Sequence, residues 1–311
     1  MKKTVQAFSP GGISSFFEIC NTNRDGTKFT NIEQVGARGG GFVINKGVHT
    51  HVEVADANDT SIEIFINGKL APEAETTRTV AETLVAKNNE KHAITINHTV
   101  EIPIGAGFGS SAGGALGTAL GLSEALGLNL TYNQLGRIAH VAEIKCSTGL
   151  GTVGPIMRGG CILTVKSGAP GIGVVDRIPI DSKYSVVSAT FGPTPTKQIL
   201  ASPEKRREVN IWGSKTLEAI LAEPSVENFL SCCWEFAQKT GFVTERVREL
   251  VRLATKAGAI GAAQNMVGEA VHALVLDENA KEVAEAFKQI APRGSVLVAK
   301  VDFQGARLIG E

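Results

Sequence analysis

The chain has 311 residues, enough to bury a large core and to form two lobes. Lys plus Arg and Asp plus Glu number 31 each, and this zero net charge argues against nucleic acid or an acidic membrane as the main partner. Five cysteines without paired spacing point to reduced thiols. With no apolar run after Lys2 and Lys3, and none approaching about 18 residues, the chain reads as soluble and cytoplasmic.

Residues 4–8 alternate like a strand, and in Ser9-Pro10-Gly11-Gly12-Ile13-Ser14-Ser15-Phe16-Phe17-Glu18 the Pro and Gly predict its end in a loop of small polar groups. Gly36 to Gly41 leads into three strands, FVIN, THVEVA and SIEIFIN, with turns at Asn45-Lys46-Gly47 and Asn58-Asp59. Val80, Leu84 and Val85 share a face of a helix over 73–88, and 93–100 is a further strand. His49, His51, His92 and His98 lie in or beside these strands without metal-ligand partners and read as structural or surface residues.

The stretch from Glu101 to Leu126 carries the chemistry. Gly105, Gly107 and Gly109 alternate in a loop that opens at Pro103. Glycines so placed allow positive φ and close approach of a ligand to the backbone. A helix starting at Ser110 and Ser111 directs its unpaired N–H groups and partial positive charge at that loop, an anion site suited to phosphate. The serine hydroxyls can bond phosphate or ligate its Mg²⁺. No Lys follows the last glycine, so this is not a Walker A loop, and no acidic residue on a following strand makes it a dinucleotide fingerprint. The structural alternative is a helix start with small residues for close packing.

A second helix begins after Thr131 and carries Glu143 near its end, either a Mg²⁺ ligand or a solvated carboxylate. The glycine-rich turn Ser147–Val153 follows, then Gly159-Gly160 entering a strand. Strands are expected at 160–165, 173–178 and 184–190, and Phe191–Thr196 is a Pro/Gly break suited to a hinge. Helices over 197–222, 225–239 and 243–256 lead to a second glycine-rich segment, Lys256–Glu269. The strand VHALVL, a helix at 279–290 and strands at 295–302 and 306–309 suggest a split βαβ ending.

As a whole, Pro103-Ile104-Gly105-Ala106-Gly107-Phe108-Gly109-Ser110-Ser111-Ala112 resembles the nucleotide loop of the GHMP kinases, and the N-terminal, central and C-terminal segments together are most similar to the archaeal pantoate kinases. The resemblance spans most of the chain. It implies an α+β, two-lobed GHMP kinase fold. Residues 1–190 would form a nucleotide lobe like domain 2 of ribosomal protein S5, and 191–311 a split βαβ-like lobe. It implies ATP at Pro103, Gly105, Ala106, Gly107, Phe108, Gly109, Ser110, Ser111 and Ala112, with Mg²⁺ on Ser110, Ser111 and Glu143. The acceptor would lie by Ser9, Gly11, Ser14, Gln264 and Asn265. It would be a small molecule, pantoate, phosphorylated to 4-phosphopantoate towards coenzyme A; a homodimer is left open. Shikimate, homoserine or mevalonate is the alternative acceptor, and a catalytically weak nucleotide-binding protein the alternative class.

Two positions depart from the family pattern. Pantoate kinases carry His where Gly12 stands. Many members place a catalytic Asp seven residues before the first glycine of the Gly159-Gly160 pair, where this chain has Thr152. A Thr hydroxyl stays protonated near neutral pH, so Thr152 can orient a hydroxyl but not serve as base. Thr152, Glu143 and Lys145 are the catalytic candidates, and homoserine kinases also work without that Asp. A carboxylate-bearing acceptor needs a cation, for which Arg158, Arg38, Lys145 and Arg24 are unranked candidates.

Overall fold

The computed structural model describes residues 2–23, 26–88, 90–193 and 202–310. Its centre is a long antiparallel pair, β1 (Lys2–Cys20) and β2 (Gly36–Asp56). On one side β2 pairs with β5 (His92–Val100), which runs parallel to β3 (Ser61–Ile66); the short β4 (Lys69–Leu70) closes that edge. The earlier part of β2 instead pairs with β6 (Cys161–Lys166), which pairs with β7 (Val174–Ile178). The last strand, β12 (Arg307–Ile309), returns to β1.

Two strand assignments made from sequence change here. Pro10-Gly11 does not end β1, and Asn45-Lys46-Gly47 is not a turn. Pro10 faces Gly47 while Gly11 faces Ile44, so Asn45 and Lys46 are extra residues on β2. A bulge absorbs them, and it also tolerates a proline with no N–H to give. Glycine permits this close pairing: a Cβ on Gly41 would overlap the carbonyl oxygen of Ile13.

The helices α1 (Glu75–Val85), α2 (Ser110–Ala125) and α3 (Tyr132–Cys146) pack in one layer, with α1 and α2 against this sheet. Thr131 and Gln134 form a reciprocal capping box that starts α3. Gly113 and Gly121 of α2 sit where a Cβ would come within 2.9 Å of Val48 and Val52 side-chain atoms, and Gly117 faces Thr50. This stripe, repeated every four residues, lets the helix lie close to the strands. Leu116 and Leu122 are fully buried, each such side chain contributing about 1.5–3 kcal/mol.

A short helix, α4 (Val153–Arg158), precedes β6. The second sheet has the order β11-β8-β10-β9, with β8 at Tyr184–Pro193, β9 at Gly261–Gln264, β10 at Gly268–Leu276 and β11 at Val296–Lys300. Because β8 is antiparallel to both β10 and β11, those two are parallel with one strand between them. With α8 (Ala280–Lys288) as the crossover, this is a split βαβ unit. The helices α5 (Pro203–Ala222), α6 (Val226–Lys239) and α7 (Glu245–Lys256) separate β8 from β9. A boundary between 190 and 191 would pass through β8, and the expected hinge and the start of the 197–222 helix fall partly outside the described residues. Phe16 and Phe42 meet Phe229 at ring-centroid distances of 6.2 and 5.4 Å, joining the central hairpin to α6.

His98 clamps the first layer. Its Nδ1 lies 2.9 Å from Thr50 Oγ1 and its Nε2 3.0 Å from Thr77 Oγ1, and burial lowers its pKa to about 4. The folded chain therefore keeps His98 neutral where the unfolded chain protonates it, below about 6.5. The resulting stability is complete above that pH and is lost as pH falls towards about 4. His98→Gln should flatten part of this decline in urea midpoints; an unchanged slope would show that the acid sensitivity arises elsewhere.

Candidate active site

Gly105, Gly107 and Gly109 have φ of 76°, 80° and 70°. All three lie in the left-handed region that suits glycine. Gly109 is the N-cap of α2, and the N–H of Gly113, bonded to its carbonyl, begins the helix ladder. The amides of Ser110, Ser111 and Ala112 precede that ladder. Ala106, Phe108 and Ala112 are buried, so their side chains pack inward and do not face a ligand. Phe108 O accepts from Gly12 N at 3.0 Å, which anchors the loop on β1. Its other wall comes from the second sheet: a Cβ on Gly107 would lie 3.1 Å from Met266 O and 3.3 Å from Asn265 Cβ.

Behind the loop, Glu143 is 2 % exposed on α3. Thr148 Oγ1 donates to its Oε1 at 3.0 Å, and the Ser111 hydroxyl lies close by at the start of α2. Burial is the main influence and raises its pKa; the Ser111 and Thr148 hydroxyls oppose that rise. Among the described residues Glu143 has no ion-pair partner. A buried carboxylate and hydroxyls without a cation form an all-oxygen donor set that fits Mg²⁺, which typically takes one or two carboxylates plus phosphate oxygens.

The third side of the site surrounds Thr152, which stands just before α4. Its Cγ2 would be 2.7 Å from a Cβ on Gly109 and 2.9 Å from one on Gly12. Thr152 thus touches both the glycine loop and β1, which brings together three segments far apart in sequence. Ser14 is beside this region, and its carbonyl accepts from Met266 N at 2.7 Å.

Not every predicted residue joins them. Ser9 is fully buried under the glycine stripe of α2, and Gly11 packs in the bulge against Lys46 O and Ile44. Gln264 is buried, its Nε2 donating to Phe242 O and Gly268 O. Asn265 Oδ1 accepts from His272 Nδ1 at 2.8 Å. His272 Nε2 then accepts from Ser15 Oγ at 2.9 Å, and burial holds the ring neutral with a pKa lowered to about 3. Lys145 is exposed, two residues from the buried Glu143, and residues at that spacing do not share a helix face. Arg158 is exposed at the opposite end of α4 from Thr152. Arg38 Nε donates to Glu18 Oε2 at 2.7 Å, and its Nη2 bonds Ser214 on α5. Arg24 lies outside the described residues.

Sequence reading missed Thr76 and His272. Thr76, on α1, bonds Thr148 at 2.9 Å. Neither stands in a motif; only the fold brings them to one.

A glycine loop at a helix start beside a buried carboxylate, on a large mixed sheet joined to a split βαβ unit, defines the class of small-molecule kinases that the sequence resembled. The sequence model of the GHMP kinases N terminal domain matches residues 75–160. The chain is 33% identical to the pantoate kinase of Thermococcus kodakarensis over 284 residues, 90% of this chain and 91% of that protein. It is 30% identical to the pantoate kinase of Methanocaldococcus jannaschii, across 90% of this chain and 96% of that one. A solved structure described as a phosphotransferase related to the CoA biosynthesis pathway superposes with a TM-score of 0.87 at 30% identity, covering 98% of both chains. The protein belongs to the GHMP kinase family.

Proposed function

We propose that the protein is an ATP-dependent kinase that phosphorylates a hydroxyl of pantoate to give 4-phosphopantoate, a step towards coenzyme A. The observation that carries this reading is the similarity to pantoate kinases over nearly the whole length of both chains. The left-handed glycines and the amides of Ser110 and Ser111 would bind the phosphates of ATP. Glu143 and the two serine hydroxyls would hold Mg²⁺, which when bound neutralises charge on the transferred phosphoryl group. Ser14 and Thr152 would line the acceptor, with Thr152 orienting its hydroxyl.

The test is ATP consumption with pantoate, mevalonate, homoserine and shikimate, with the product identified by mass. Phosphopantoate formation supports the reading; turnover with another of these acceptors replaces it. ATP binding without turnover on any of them would favour a nucleotide-binding protein, the reading suggested by the missing carboxylate at 152.

Thr152→Asp is expected to be tolerated and to raise single-turnover phosphorylation of pantoate. A base there could contribute at most about 10⁴-fold. Repulsion between the new charge and the triphosphate works against it, so a modest gain is the expected result. A lower rate at every pH in a folded variant would mean that the site is built around the hydroxyl.

A further inference from the structure

Thr76 lies on α1, outside every segment so far assigned a role. It is 6 % exposed, and its Oγ1 is 2.9 Å from Thr148 Oγ1. Each threonine hydroxyl has one proton to donate, while an ionised carboxylate only accepts. Thr148 gives its proton to Glu143 Oε1 at 3.0 Å. Its oxygen must then accept from Thr76. Ser111 Oγ approaches Thr76 Oγ1 at 3.5 Å from the start of α2. The bonds therefore run in one direction, from Thr76 through Thr148 to Glu143, and tie α1 to the turn after α3.

Thr148 has a competing acceptor. The backbone carbonyl of Glu143 is 3.5 Å from the same hydroxyl. Thr148 itself is on an exposed turn, so its own packing does not choose between carbonyl and carboxylate. The bond from buried Thr76 does. On the opposite side Gly149 closes against the carboxylate, where a Cβ would overlap Oε2.

We infer that Thr76 is a positioning residue for the metal site: through Thr148 it fixes the Glu143 carboxylate in the orientation that receives a divalent cation with the nucleotide. This rests on the kinase reading above. Hydrogen-bond partners behind a metal ligand typically set its affinity by about 10–100-fold.

The experiment measures equilibrium binding of a non-hydrolysable ATP analogue as Mg²⁺ is titrated, together with thermal unfolding, for Thr76→Val, Thr76→Ser and Glu143→Gln. Thr76→Val keeps the shape and removes the hydroxyl; the Mg²⁺ needed for half-maximal binding should rise about tenfold. Thr76→Ser should restore it to within about twofold, although it loses a buried methyl and some stability. A structural role alone would follow stability instead, with the serine variant as impaired as the valine one or more so. That pattern, or an unchanged Mg²⁺ requirement in Thr76→Val, overturns the proposal. If Glu143→Gln also leaves the Mg²⁺ requirement unchanged, the fault lies in the metal-site reading and the role of Thr76 falls with it.

Discussion

Gly107→Val is expected to abolish nucleotide binding while leaving the protein folded. Gly107 has φ of 80°, and a Cβ there would lie 3.1 Å from Met266 O and 3.3 Å from Asn265 Cβ. The left-handed backbone costs a non-glycine residue about 1–2 kcal/mol, and a β-branched side chain is the least suited to it. The loop relieves this strain by turning its amides away from the geometry that phosphate requires. It lies on the surface between β5 and α2, and neither element's core contacts depend on the Gly107 side chain, so the fold should survive. Each 1.4 kcal/mol lost is about a tenfold weaker affinity, and loss of several aligned amides together should leave no measurable binding in calorimetry. Wild-type ATP affinity in a folded Gly107→Val protein would place the nucleotide elsewhere.

Glu143→Gln is expected to separate activity from stability. Removing a charge that stabilises a phosphoryl transition state typically costs about 10²–10³ in kcat, and the Mg²⁺ requirement should rise with it. Without metal the same charge is a burden, because Glu143 is buried and has no ion-pair partner among the described residues. Its pKa is raised in the fold, mainly by burial. The unfolded chain therefore ionises first, from about pH 4.3 upward. Folding loses stability as pH rises through that range towards the folded pKa, and the loss is constant above it. Glutamine carries no such charge and keeps an oxygen for Thr148 and Ser111. In Mg²⁺-free buffer near neutral pH its Tm should equal or exceed wild type, with any gain vanishing below about pH 4. If the variant loses Tm there and its Mg²⁺ requirement in the activity assay is unchanged, Glu143 is a structural acceptor and not a metal ligand.

Much of this arrangement was legible in the chain. The alternate glycines before Ser110 predicted a backbone-lined loop at a helix start, and their three positive φ angles are what that spacing allows. Thr131 marked the start of α3, and its capping box explains why. The order of strand and helix after 268 gave the split βαβ ending. These are local signals: turn chemistry, capping and periodicity act over a few residues and so remain visible in a linear string.

Pairing over distance was not visible. Pro10 and Asn45-Lys46-Gly47 carry the residues of a loop and a turn, yet opposite each other they form one bulge within two continuous strands. Arg38 looked available for an acceptor carboxylate, but the β1–β2 register sets it across from Glu18. Thr76 and Thr148 are 72 positions apart, and Ser15 and His272 are 257 apart. Sequence determined where an anion-binding loop and a helix carrying Glu143 would form. Only the tertiary structure decided which hydroxyls face that carboxylate, because a hydrogen bond between side chains requires approach to about 3 Å, and packing of α1, α2 and α3 on the sheet sets that distance.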